Sequence, residues 1–336
     1  LPRFSGQIMI QFISPSRLRH LGILGMNRRN IGIIGAHNRR KDYPIADNKL
    51  KTKGAALSRG IPVPELYGTI EHQFQIKMIS ERLKMRDSFV IKPAQGSGGR
   101  GILVVTKRND DLFVKAGGLQ IDSREVQRHV SNILAGLYSL GGRNDSAMIE
   151  ALIDFDPVLA GYSVDGVPDI RVIVFRGVPV MAMIRCATTL SDGKANLHQG
   201  AVGVGIDIGT GQSVCAVQHN QVISQHPDTG VVFERLQIPQ WQQVLDLAAS
   251  CANMTGLDYL GADVVLDRLR GPMLLELNAR PGLAIQVANQ AGLRHRLTVA
   301  ETIADQTDDQ DEKIKLAREC FSSTRVASGQ LALGPM

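Results

Sequence analysis

The sequence predicts an α+β fold with largely antiparallel sheet, and three observations carry that prediction. Short apolar runs come in neighbouring pairs joined by turn residues. One pair is Asp169–Phe175 and Val178–Cys186 across Arg176-Gly177; another is Tyr259–Asp267 and Pro272–Leu277 across Leu269-Arg270. Helical stripes are few and do not alternate with strands, as a parallel doubly wound sheet would require. A glycine-rich run, Gln95 to Gly101, joins strand to strand and not strand to helix.

In chain order, residues 1–45 read as an irregular, basic segment. Asp47 to Arg59 reads as a helix stopped by Gly60, followed by extended Ile61-Pro62-Val63-Pro64. Ser88–Pro93 and Ile102–Thr106 are strands on either side of the glycine run. Ser123 to Leu140 is a helix with Val126, Val130, Ile133, Leu134 and Leu137 on one stripe. Ala147–Ile153 is a strand, and the two hairpins follow, separated by a helix over Trp241–Ala252. After Gly292 the chain turns polar, with an acidic patch from Asp305 to Glu312 and then a weak helix. The expected organisation is therefore a basic segment (1–45), two α+β units (46–146 and 147–292) and a polar tail (293–336).

Composition removes several classes of function. The 336 residues leave room for about two domains. Hydrophobic residues at 43% and charged residues at 21% exclude global disorder. No apolar run approaches the ~18–20 residues of a membrane-spanning helix. Aromatic residues, at 4%, are too few for a single-strand stacking platform, and no helix-turn-helix, RNP or zinc module is present. Nucleic acid is not an expected partner; an oligomer stays open. Cys186, Cys215, Cys251 and Cys320 form no CxxC pair, which fits a reducing compartment, the cytoplasm.

Two groups of residues carry chemistry. Glycines let backbone N–H groups approach a phosphate closely. Gly96-Ser97-Gly98-Gly99-Arg100-Gly101 lacks the GK[ST] and helix of a Walker loop, so it reads as a hairpin lid over phosphates or as a plain surface loop. Lys92, at the base of the run, supplies positive charge. The second group lies on the last hairpin. A turn centred between Leu269 and Arg270 puts Asp263 opposite Glu276, with Asn278 two residues on and on the same face. Three oxygen donors on one face suit Mg²⁺. Between these groups, Asp169 and Arg171 share a strand face, Arg185 ends the neighbouring strand, and Asn196-Leu197-His198-Gln199-Gly200 follows. An arginine near a metal can hold a transferring phosphoryl group; each residue alone is more often an ion pair or loop hydrogen bond than a catalyst.

The order Lys49, Lys92-Pro93, glycine run, Ile149-Glu150, Asp169-Ile170-Arg171, Arg185, Asn196-Leu197-His198, Asp263 and Glu276-Leu277-Asn278-x-x-Pro281-Gly282 resembles the ATP-grasp superfamily. The resemblance covers about residues 45–292. Within the superfamily the chain looks most like the RimK-type α-L-glutamate ligases and their ligase-like relatives; a branch associated with sugar-transfer loci has similar features. The resemblance implies ATP between two α+β subdomains. Lys49 and Lys92 would contact its phosphates, Lys92 also approaching the adenine. Gly96, Ser97, Gly98, Gly99 and Gly101 would form the lid, and Glu150 would sit at the adenine-binding hinge. Asp263, Glu276 and Asn278 would hold Mg²⁺, with Mn²⁺ as a substitute. Arg185 would steady the γ-phosphoryl group, while Arg171 and Asn196 would line the metal and acceptor end.

The activity so implied is ADP-forming carboxylate–amine ligation through an acylphosphate, adding glutamate or another amino acid to a peptide, protein or small-molecule acceptor. An ATP-grasp kinase and a non-catalytic nucleotide-binding protein are the alternatives. Two stretches depart from the family pattern. The segment before Lys49 is shorter and more basic than the usual substrate domain: residues 1–60 hold 12 Lys and Arg against two acids. It is expected to recruit an acidic acceptor through Arg28, Arg29, Arg39, Arg40 and Lys41, or to be a solvated basic face. Residues 203–235, which include His226-Pro227-Asp228-Thr229-Gly230, read as an inserted hairpin.

Overall fold

Asn48 sets the start of the helix that carries the first expected phosphate ligand. Its side chain accepts from the N–H groups of Leu50 and Lys51 and so caps Lys49–Leu57, a shorter helix than the sequence suggests. The computed structural model describes residues 13–96, 98–109 and 112–322. Ser97, expected in the lid, lies outside the described residues, as do 1–12 and 323–336.

The first sheet contains β1 (Leu66–Ile70), β2 (Phe89–Pro93), β3 (Leu103–Asn109), β4 (Leu112–Lys115), β5 (Gln120–Asp122) and β6 (Ala147–Glu150), in the order β1-β6-β2-β3-β4-β5. All its pairs are antiparallel. The helix Ser123–Leu134 starts on a capping box between Asp122 and Glu125 and buries Val126, Val130, Ile133 and Leu134. It does not reach Leu140. Its last carbonyls, Ser131 O and Ile133 O, accept from the N–H groups of Ala135 and Gly136, and Leu137, expected on the buried stripe, is 66% exposed. β6 likewise ends at Glu150, short of Ile153.

The second sheet contains β7 (Asp169–Phe175), β8 (Val178–Cys186), β9 (Val202–Ile206), β10 (Ser213–Gln218), β11 (Gln221–Ile223), β12 (Tyr259–Asp267) and β13 (Gly271–Asn278). Their order is β11-β10-β9-β8-β7-β12-β13, again antiparallel throughout. Arg176 and Gly177 take φ of 51° and 81°, the two left-handed positions of a tight hairpin turn. The stretch read as an inserted hairpin is no appendage: β9 is buried along its whole length and, with β10 and β11, continues the sheet outward from β8. Its alternation of Val and Gly hid it, since glycine weakens the strand signal.

The expected polar tail gives way, over residues 293–321, to two packed helices. Leu293–Gln306 buries Leu297, Ala300 and Ile303, Gln310–Phe321 buries Ile314, Ala317 and Phe321, and both lie on β8 beside the helix Trp241–Thr255. Their narrow apolar stripes are diluted by charged outer faces. The basic segment is also corrected. Pro15–His20 is a capped helix, and Met26 to His37 is helical with a π-turn stretch at Arg29–Ile34. Leu24 and Ile34 join the second core. Asn38 donates to Tyr259 O (2.7 Å) and accepts from Tyr259 N–H (2.8 Å) at the start of β12. Gln286 makes the same two-way bond with the backbone of Leu24. Buried amides thus replace the sheet contacts that this segment cannot make. Among the described residues no helix is long and apolar enough to cross a membrane.

Candidate functional site

A narrow cleft between the two sheets is lined by Lys49, Lys92, the lid residues Gly96, Gly98, Gly99 and Arg100, and Glu276. Lys49 bridges its walls: its Nζ lies 3.2 Å from Glu276 Oε2 and donates to Gly96 O at 2.8 Å. The lid reaches across as well. Asn196 Nδ2 and Gln199 Nε2 each donate to Gly98 O at 3.4 Å. Behind the lid, Asp145 accepts from Gln95 N–H and from Ser139 Oγ (2.6 Å), which holds the base of the loop. Gly101 has φ of 73°, and a Cβ there would lie 2.5 Å from the Tyr138 ring. His129 Nε2 donates to Gly101 O at 3.0 Å; burial lowers the pKa of this imidazole against the pull of that carbonyl.

Beneath the cleft in the first lobe, Glu150 is clamped by two lysines. Its Oε2 lies 2.6 Å from Lys92 Nζ and its Oε1 2.8 Å from Lys53 Nζ. All three side chains are buried, and Lys53 also donates to Pro64 O. Burial would raise the Glu150 pKa, but Lys92 and Lys53 outweigh it and hold the carboxyl below its ordinary value. Burial lowers Lys53, with Glu150 opposing. The resemblance put Glu150 at the adenine hinge; here its carboxylate is engaged in pairing the two lysines. Lys53 was missed, although it lies one helical turn from Lys49 and so shares its face.

The second lobe builds a different cluster from strand register. Asp263 on β12 is flanked by Arg171 on β7 and by Glu276 on β13, so the three side chains form one row across the sheet. Asp169 faces Arg185 in the next row. Arg171 grips Asp263 with two bonds, Nε to Oδ1 (2.7 Å) and Nη2 to Oδ2 (2.6 Å). Arg185 donates to Asp169 Oδ1 (2.6 Å) and, diagonally, to Asp263 Oδ2 (2.6 Å). Asp263 is fully buried. Burial would raise it, yet Arg171 and Arg185 hold it at about 2. Burial lifts Asp169 to about 7 against Arg185, with Asp263 adding to the lift.

The register of Asp263 and Glu276 agrees with the sequence expectation by compensation. The turn is centred on Leu269, one half-step earlier than supposed, and a bulge at Leu275 restores the pairing. Of the three expected metal ligands, Glu276 lines the cleft and Asn278 lies two residues further, its Oδ1 accepting from Arg280 N–H. Asp263 is not free to ligate in this arrangement, because guanidinium groups occupy both its oxygens. Among the described residues no three His, Cys, Asp or Glu side chains form a metal cage. The donors at Glu276 and Asn278 still fit Mg²⁺, which usually takes one or two protein oxygens and completes its shell with phosphate and water.

The loop that carries Asn196 is held from outside by the His226–Gly230 motif, whose purpose was not legible in sequence. His226 is buried; its Nε2 donates to Ala187 O (3.1 Å), and its Nδ1 accepts from Asp228 and Thr229 N–H. Asp228 accepts from Thr189 N–H at 2.8 Å, and Thr188 Oγ1 closes the loop on Gly200 O at 3.0 Å. The arginines of the basic segment are partly spent within the fold. Arg29 donates to Pro281 O (2.8 Å) and to Asn30, and Arg39 pairs with Asp42 (2.8 Å).

Over residues 28–302 the sequence matches the family described as sugar-transfer associated ATP-grasp. The chain belongs to that family. Its two antiparallel sheets with their helices are the ATP-grasp fold, and the matching branch is the sugar-transfer one, not the RimK-type ligases that the motif order resembled most. No curated protein matches the chain. Among solved structures, it is similar to the ATP-grasp ligase PsnB complexed with minimal precursor (13% identity, TM-score 0.42, 80% of this chain and 63% of that one). It is also similar to the D-alanine-D-alanine ligase from Coxiella burnetii (14%, 0.43, 86% and 61%) and the D-cycloserine synthetase DcsG (14%, 0.43, 79% and 71%). The chain spans about three-fifths of the length of the first two. Likenesses this remote do not reach substrate or partner.

Proposed function

We propose that this ATP-grasp protein is an ATP- and Mg²⁺-dependent ligase that joins a carboxylate to an amine. The observation that supports the reading is the convergence of Lys49, Lys92 with the glycine lid, and Glu276 on one cleft, from three distant parts of the chain. Lys49 and Lys92 supply fixed positive charge for phosphate oxygens, and the lid supplies backbone N–H groups. Glu276 and Asn278 would hold Mg²⁺, which when bound neutralises phosphate charge. Arg185, anchored by Asp169 and Asp263, is the group for the transferring phosphoryl oxygens, and Arg171 positions it by holding Asp263.

One substrate's carboxylate takes the γ-phosphoryl group of ATP. An amine then attacks the acyl carbon, and phosphate leaves after ADP has formed. The chain contributes position and charge and no covalent nucleophile, as phosphoryl transfer allows. The acid added is an amino acid such as glutamate; the acceptor is a peptide, a protein or, in keeping with the family's sugar-transfer association, a sugar-bearing molecule. The test is Glu276→Gln. ATP turnover should fall by about a hundredfold or more, since losing one metal ligand removes several kcal/mol of transition-state stabilisation. Near-normal turnover by the folded variant would overturn the reading, and phosphate release without any amine would favour the kinase alternative.

A further inference from the structure

We infer that a second cavity, of about 190 Å³, is the subsite for the body of the acceptor and takes an uncharged, hydroxyl-rich ring. The word acceptor rests on the ligase reading above; the binding chemistry does not. The cavity shares a wall with the nucleotide cleft. That wall is the single 3₁₀ turn Leu197–Gln199, capped by Asn196. Residues three apart eclipse on such a turn, so Asn196 and Gln199 both point to the lid and donate to Gly98 O. The intervening Leu197 and His198 point elsewhere and line the cavity.

The opposite wall comes from Ala284 and Val287, which follow Pro281-Gly282 at the exit of β13. The cavity therefore lies between the two segments that carry Asn196 and Glu276. Its third side is β10 and the turn beyond it, from Val217 to Asn220. His219 and Asn220 take φ of 49° and 63°, the paired left-handed positions of the β10–β11 hairpin, so the rim is set by a tight turn. Gln218 Nε2 ties that strand to Gly200 O at 2.7 Å, which couples it to the shared turn.

The lining decides the class of ligand. Among the described residues, no lysine, arginine, aspartate or glutamate contributes to it. A carboxylate or phosphate would look for a guanidinium or ammonium here, and an ammonium ligand for a carboxylate. His198, His219 and Asn220 instead offer side chains that both donate and accept, which is what hydroxyl groups need. Leu197, Val217, Ala284 and Val287 form an apolar wall for the C–H face of a ring. The volume is below the roughly 300–1,000 Å³ of drug-sized sites, so it holds about one ring and not a nucleotide or peptide.

The experiment is ligand-observed NMR on the full chain, with methyl β-D-glucopyranoside, methyl N-acetyl-β-D-glucosaminide, glucuronate and glutamate as probes. Two variants accompany the parent. Val287→Trp fills the cavity from a position that is 42% exposed, and His198→Ala removes a rim donor. At least one neutral glycoside should bind in the millimolar range. Val287→Trp should weaken it by at least about tenfold, equivalent to 1.4 kcal/mol, and His198→Ala by a smaller factor. No glycoside binding, binding that neither variant changes, or tighter binding of glutamate or glucuronate in a manner blocked by Val287→Trp would overturn the subsite. ATP titration of the same samples tests the ligase reading separately. A chain that binds glycoside but not ATP keeps the subsite and loses the ligase.

Discussion

The two lobes each bury a charged cluster under the cleft, and the clusters balance their charges differently. In the first, two lysines share one carboxylate, Glu150. In the second, two arginines meet two aspartates through four bonds of 2.6–2.7 Å. Buried charge is costly unless paired. A balanced network of short bonds can therefore sit deep in a sheet and hold strands in register. The surplus cation of the lysine cluster is tolerable only at an edge, and Lys92 does line the cleft. On this comparison the arginine cluster braces the strands and fixes Arg185 in place, and the lysine cluster carries the surplus charge that receives an anion.

The comparison is broken most severely at the two carboxylates. Asp263→Asn strands Arg171, which cannot lose its proton, leaves Arg185 with Asp169 alone, and should cost about 3–5 kcal/mol of stability in denaturant titration. Glu150→Gln strands two lysines, but Lys53 already has a lowered pKa and can shed its proton, so the loss should be distinctly smaller. Equal losses would mean that the clusters do the same work. Next in size, Lys92→Met leaves Lys53 to pair with Glu150. It should keep most of the stability yet weaken ATP binding by about 10–100-fold, the weight of one charge-assisted hydrogen bond. Calorimetric titration with ATP checks this, and an unchanged affinity would remove Lys92 from the receiver.

Gly101→Ala acts on the lid alone. It forces a Cβ into the Tyr138 ring at φ of 73° and should raise the KM for ATP while costing on the order of 1 kcal/mol of stability. The smallest effect is in pH. Glu150 is depressed, so its contribution is present above its ordinary value of 4.5 and is lost as pH falls below it. Asp169 is raised to about 7, so its contribution is present below 3.8 and is lost as pH rises to about 7. The two slopes have opposite sign. Stability against pH for Glu150→Gln and Asp169→Asn should each lose one of them, and a parent-like curve in either variant would contradict the assignment.

Local pattern was enough for both hairpins and for the strand-to-strand lid, because each depends on turn residues and spacing within about 20 residues, and the order of motifs that marks an ATP-grasp chain is itself a property of sequence. It was not enough for the site. Whether Asp263 faces a metal or a guanidinium depends on β12 lying beside β7, and Arg171 and Asp263 are 92 positions apart. The same holds for Lys53 and Glu150, which link a helix packed on β13 to the inner strand β6 of the first sheet. Leu293–Gln306 and the segment around Asn38 read as polar or irregular because their apolar residues are sparse and their partners are remote. Charge and polarity in a sequence say what a residue costs to bury. Which groups repay that cost is a matter of strand order and packing, and these are set by contacts between distant parts of the chain.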